Sequence, residues 1–136
     1  RDGGAVVSTG PLHILDSTFE HCESAGEGGA VISFLGAALS VVGSTFDSCR
    51  SSAGGGAIAS LGSLTVQSST FTGCLSQGPG GAIRAYASDN RLAPQDVSVS
   101  VVGTRWTNCT SAQDGGAVSF RSGHAEISNS QFVANA

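Results

Sequence analysis

Few residues of this 136-residue chain are suited to chemistry. Glu20 and Asp47 each directly follow a phenylalanine, Phe19 and Phe46, so the two carboxylates hold equivalent places in the chain. Two carboxylates on one face can cleave a glycosidic bond by general acid–base work, and with calcium they can serve a lyase. Glu23 and Arg50 repeat the same offset. The next two equivalents of the acidic pair are Thr72 and Thr107, so the acidic face stops after two members. A solvated turn, with Glu23 and Arg50 as a weak surface pair, accounts for these charges without catalysis. No nucleophile-plus-base motif and no phosphate loop is present. The expectation is no enzymatic activity and no cofactor.

Cys22, Cys49, Cys74 and Cys109 each stand three residues after an aromatic. His13, His21 and His124 occupy three unrelated places, so no histidine column completes a tetrahedral zinc site and no metal is expected. Asn108-Cys109-Thr110 fits the acceptor sequence for an N-linked glycan on a turn.

These residues are positioned by an internal repeat. Gly-Gly-Ala followed by Val or Ile begins at Gly3, Gly28, Gly55, Gly80 and Gly115. Five aromatics, Phe19, Phe46, Phe71, Trp106 and Phe132, are followed three residues later by Cys or, at Asn135, by Asn. The first four precede the next repeat's Ala30, Ala57, Ala82 and Ala117 by one constant spacing, kept without a slip. Upstream of each aromatic runs an apolar–polar–apolar alternation, such as Leu12-His13-Ile14 or Leu64-Thr65-Val66, the period of a strand with one buried face. Three residues before each aromatic comes a turn former: Asp16, Gly43, Ser68, Gly103 or Asn129. A Ser/Thr column follows at Ser17, Ser44, Ser69, Thr104 and Ser130.

One such unit cannot bury its apolar side alone, whereas stacked units bury a continuous core at about 4.8 Å per coil. The pattern predicts an all-β chain, a right-handed parallel β-helix of about five coils of about 25 residues. Residues 1–136 form one solenoid, with an inserted loop at 86–96, because the stretch from Ala82 to Trp106 is longer than its equivalents in the other repeats. The double glycines fit a turn needing positive φ or close approach between coils. In the loop, Arg84, Tyr86, Asp89, Asn90 and Arg91 are candidates for contacting a partner.

Composition agrees. Charged residues are 12%, all six cations are Arg, and the net charge is −4 with no basic cluster, which argues against nucleic acid. No apolar run approaches the roughly 18 residues of a transmembrane helix.

Gly-Gly-Ala-Ile/Val with Phe-x-x-Asn resembles the repeats of the polymorphic outer-membrane proteins of chlamydiae, surface adhesins with a β-helical passenger. The resemblance covers residues 3 to 135, although only Phe132-Val133-Ala134-Asn135 keeps the Asn. With Cys in the other four places, it looks more like the Cys-bearing variants in surface or secreted proteins of microbial eukaryotes. It implies a pectin-lyase-like solenoid and an extracellular or cell-surface location. Many such solenoids are polysaccharide lyases or hydrolases, and flat Thr ladders, here Thr18, Thr45 and Thr70, occur on ice-binding ones; both remain subordinate alternatives.

The ladder also narrows the cysteines. Neighbouring coils bring Cys22 to Cys49 and Cys74 to Cys109 within the roughly 4.4–6.8 Å Cα window of a disulfide. The alternative is a column of reduced, buried thiols. The chain opens at Arg1 and closes at Ala136 almost at repeat boundaries, with no lid at either end. It therefore reads as a window of a longer solenoid, met by flanking coils, or as a subunit that stacks head to tail on copies of itself. That end-stacking interface would comprise Val6, Leu12, Ile14, Phe19, Val118, Ile127, Phe132 and Asn135. The expected function is a self-assembling surface fibre; the alternative is an adhesin segment that binds a cell-surface partner.

Overall fold

A computed structural model describes residues 4–34, 37–86, 98–121 and 124–136. The described chain is all-β, and every strand pairing is parallel. Four sheets run along a solenoid. The first stacks Val6–Ser8, Val31–Ser33, Ile58–Ser60, Ile83–Tyr86 and Val118–Arg121; the second Leu12–Leu15, Leu39–Val42, Leu64–Gln67, Ser98–Val102 and His124–Ser128. The third stacks Thr18–Glu20, Thr45–Asp47, Thr70–Thr72, Arg105–Thr107 and Gln131–Val133. The fourth, of four strands, stacks Glu23–Ser24, Arg50–Ser51, Leu75–Ser76 and Thr110–Ser111. One turn of the coil carries the chain from Val6 to Val31, and the next from Val31 to Ile58. The turn from Ile83 to Val118 is the longest, and the extra residues lie there. Residues 87–97 of the expected loop fall outside the described residues. Among the described residues no helix is long and apolar enough to cross a membrane.

The columns of the sequence are the ladders of the structure. Leu39 pairs with Leu12 and Leu64, and Val66 with Val41 and Val101, all facing inward. The aromatic rings stack at 4.8, 4.8, 5.8 and 4.4 Å between centroids, within 10° of parallel. Phe46, Phe71 and Trp106 are fully buried there. Each such pair contributes about 0.5–1.5 kcal/mol beyond its burial.

Corners close the coil. The turn formers Asp16, Gly43, Ser68, Gly103 and Asn129 all have φ between 45° and 62°. A second left-handed column, two residues after each aromatic, holds His21, Ser48, Gly73, Asn108 and Ala134. Its mixed composition hides it from sequence reading.

The two glycines of each Gly-Gly-Ala meet different demands. Gly55 takes φ of +64°, and a Cβ there would also lie 2.1 Å from the Ile58 carbonyl oxygen. Gly56 needs no unusual φ, but a Cβ there would sit 2.1 Å from the Gly81 carbonyl oxygen of the next coil. The first permits the turn and the second permits the coils to touch.

That division is testable. Gly73 has φ of +61° with its nearest atom, Ser48 Oγ, at 3.5 Å from a built Cβ, so Gly73→Ala suffers only backbone strain. It should lose about 1 kcal/mol. Gly56→Ala must push two coils apart and should lose about 3 kcal/mol or more. Urea unfolding followed by the fluorescence of Trp106, the single tryptophan, measures both; equal losses would show that close approach is not limiting.

Candidate functional site

The third sheet places Glu20 beside Asp47, Asp47 beside Thr72 and Thr72 beside Thr107, as the repeat required. Glu20 is exposed, and Asp47 accepts a hydrogen bond from Ser48 Oγ at 2.8 Å. Glu23 stands beside Arg50 in the fourth sheet. A shallow depression of about 170 Å³ is lined by Glu23, Arg50, Ser51, Leu75 and Gln77, and neither Glu20 nor Asp47 reaches it. The acidic pair thus sits on an outer wall and not across a cleft. The threonine column runs Thr18, Thr45, Thr70 and then Arg105 and Gln131, so its flat polar surface lasts three coils.

Arg84 and Tyr86 belong to a strand of the first sheet, and both turn to one carboxylate. Arg84 Nη1 donates to Glu27 Oε1, Tyr86 Oη donates to Glu27 Oε2 at 2.6 Å, and the guanidinium lies 4.1 Å from the Tyr86 ring centroid. The reach from Arg84 back to Glu27 crosses one whole coil. Gly54, paired with Glu27, makes room, because a Cβ there would lie 2.5 Å from Arg84 Cδ. Glu27 was not singled out by the repeat; its column otherwise holds Gly54, Pro79 and Asp114, which share no chemistry. Arg84 and Tyr86, with Arg121, Gln113 and Asp114, line an open groove of about 580 Å³. Asp89, Asn90 and Arg91 lie outside the described residues.

The four cysteines form the reduced column. All are free thiols, so neither Cys22–Cys49 nor Cys74–Cys109 is joined as a disulfide. Pairing in register spaces the coils suitably, but ladder side chains project in parallel, whereas a disulfide needs its Cβ atoms turned toward one another. Each inner thiol instead serves as a donor. Cys49, Cys74 and Cys109 Sγ point to the carbonyls of Phe19, Phe46 and Phe71, the aromatics of the preceding coil, at 3.6–3.7 Å. Asn135 does the same work in the last coil, donating from Nδ2 to the Trp106 carbonyl at 3.1 Å while its Oδ1 accepts the Cys109 N–H at 2.8 Å. Asn and Cys alternate in this column because both can offer one proton to the same carbonyl.

The thiols influence each other. Cys74 is pushed up by its bonds to Cys109 and Cys49, and those bonds hold Cys49 down to about 7 and Cys109 below its ordinary value. Burial raises Cys22.

Two hydroxyl columns complete the polar interior. Ser17, Ser44 and Thr104 donate N–H groups to Ser44, Ser69 and Ser130 hydroxyls at 3.2 Å, and Ser69 to Thr104 at 3.4 Å. Each hydroxyl in turn donates to the carbonyl two residues back in its own coil. A second column, Ser24, Ser51, Ser76 and Ser111, accepts corner N–H groups. It was legible as Cys-x-Ser, four times over, and the sequence reading passed over it.

The coil ends differ. At the first coil Ile14 is buried and Val6, Leu12 and Phe19 are half-buried. At the last, Phe132 is 50% exposed and Ile127 42%, while Val118 and Asn135 are half-buried. Asn108 and Thr110 are exposed, and Asn108 takes the left-handed corner. Comparison with protein-family models, curated proteins and solved structures finds no match to this chain.

Access and not acidity should govern thiol reactivity. In the folded chain at pH 8, iodoacetamide should modify Cys22 slowly and leave Cys49, Cys74 and Cys109 untouched until urea unfolds them. Peptide mass spectrometry distinguishes the sites; modification of Cys49 as fast as Cys22 would show that the column opens in the native state.

Proposed function

We propose that this chain is a non-enzymatic structural solenoid of the cell surface or extracellular space, which builds a fibre by continuing its coil from one copy to the next. The observation that carries the reading is the open last coil. Phe132 is half-exposed, although its ladder equivalents Phe46, Phe71 and Trp106 are fully buried by a following coil. The first coil of another copy, in the register that every internal pair uses, supplies that cover. Phe19 would fall on Phe132, Ile14 on Ile127 and Val6 on Val118, a repetition of the contacts inside the chain. The polar columns continue too. Ser130 N–H would meet the Ser17 hydroxyl, and the Cys22 thiol the Phe132 carbonyl, as their equivalents do in the interior.

Burial of apolar end coils drives such stacking, and a head-to-tail contact of unlike surfaces extends without closing. In a longer chain the flanking coils would occupy the same two faces. The exposed Asn108-Cys109-Thr110 sequence sits on the side wall, where an N-glycan leaves both ends clear. The groove beside Arg84 and Tyr86 leaves the side wall a surface for a second partner, the adhesin alternative.

Electron microscopy of the concentrated chain should show fibres with an axial period of about 24 Å, five coils at about 4.8 Å. Phe132→Asp or Ile127→Asp places a charge at an already exposed position, so the fold should survive while fibres shorten to single units. Val6→Asp tests the other face. Dispersed single rods from the parent chain would overturn the reading and favour a side-wall partner.

A further inference from the structure

The end-to-end reading fixes which exposed side chains become neighbours, and one new pair carries opposite charge. In the second sheet the outward column runs His13, Ser40, Thr65, Ser100 and Glu126, joined in register by each strand pair. Both terminal members are exposed. Extending the column by one coil sets His13 of the incoming copy directly opposite Glu126.

We infer that His13 and Glu126 form a polar key across the junction between copies, which selects head-to-tail stacking and strengthens it as the pH falls through the histidine range. The inference rests on the fibre reading. Opposite charges directly across parallel strands attract, and like charges repel. Head-to-head contact would oppose His13 to His13, and tail-to-tail contact Glu126 to Glu126, so the key disfavours both wrong polarities.

The other charges at the junction have the same sense. The incoming first coil presents Asp16, Glu20 and Glu23, and the last coil presents Glu126 together with Arg121. With histidines neutral, Glu126 faces a predominantly acidic coil. On the face of the strand packed below, His124 lies diagonal to the incoming His13 and two residues from Glu126; above, the neighbour is the uncharged Ser40. His21 stands opposite Ala134 and gains no partner. Protonation therefore creates one direct attraction at His13, lessens the acidity of the incoming coil through His13 and His21, and places a weaker repulsion at the His124 diagonal.

The sign follows from linkage. A histidine that gains a carboxylate partner on assembly binds its proton more tightly in the fibre than in the free chain. The added stability is full below the free-chain histidine range, near about 6.5, and disappears as the pH rises through the fibre's higher value. Above the carboxylate range, junction affinity should rise about two- to five-fold from pH 8 to pH 5.5, as expected of one exposed cross-strand pair.

Sedimentation velocity of the full chain at pH 8 and pH 5.5 tests this. His13→Gln and Glu126→Gln should each remove most of the rise, and the double variant should lose little more than either. His13→Lys carries a charge at both pH values and should give at pH 8 the assembly that the parent shows at pH 5.5. Assembly of the parent with equal strength at both pH values would overturn the key and leave end stacking standing. Rise retained in both Gln variants would assign the effect to His21 or His124 and also overturn it. Absence of assembly at any pH would remove the fibre reading and the key together. Both substituted positions are exposed, so circular dichroism should show unchanged folding in each variant.

Discussion

Parallel coils can pair along their whole length only if the backbone comes as close at the corners as it does in the strands. That requirement governs the molecule. At the corner before each Ala, the second glycine of the pair faces a carbonyl oxygen of the next coil, 1.9 Å from a built Cβ at Gly29 and Gly81. Any side chain there would wedge the coils apart and misalign every ladder above. With the corner closed, the strands fall into register and the aromatic rings stack at 4.4–5.8 Å. The aliphatic columns then form one continuous interior. The core is a consequence of the corners as much as a cause of folding.

Close coils bring a second demand, since corner N–H and C=O groups are removed from water without always meeting a strand partner. The serine and cysteine columns answer it. Ser44 Oγ accepts from Ser17 N–H and donates to the Val42 carbonyl, so one short side chain satisfies two backbone groups. The inner thiols reach back to the preceding coil's aromatic carbonyl. This explains why an interior so poor in charge is nonetheless rich in hydroxyls. It also gives the Cys column a structural role independent of disulfide chemistry.

Much of the fold was legible because each coil repeats the same solution. Gly-Gly-Ala, the aromatic and the alternation before it recur at constant offsets, and in a parallel stack a constant offset means contact. The split between the two glycines and the Asn–Cys equivalence required atomic neighbours to see. Features that break the repeat were hidden. Glu27 meets Arg84 and Tyr86 across a coil because Gly54 lacks a side chain, and nothing in a column of Glu, Gly, Pro and Asp signals that contact. The second left-handed corner was obscured because His21, Ser48 and Ala134 tolerate a conformation that Gly73 and Asn108 favour. The acidic pair Glu20 and Asp47 was located correctly as neighbours, but its distance from any cleft is a property of the wall's shape, which spacing does not encode.

The ladders also have a direction. Backbone N–H groups of the serine column always give to the hydroxyl of the later coil, and thiols always give to the carbonyl of the earlier one. The solenoid is therefore a vector, and its two ends are chemically different surfaces. A fibre made from it inherits that arrow over its full length. Subunits arriving at one tip meet an open aromatic platform, whereas those arriving at the other meet a better-covered coil. Such a fibre has a fast and a slow end, and its growth is a kinetic asymmetry written into every coil.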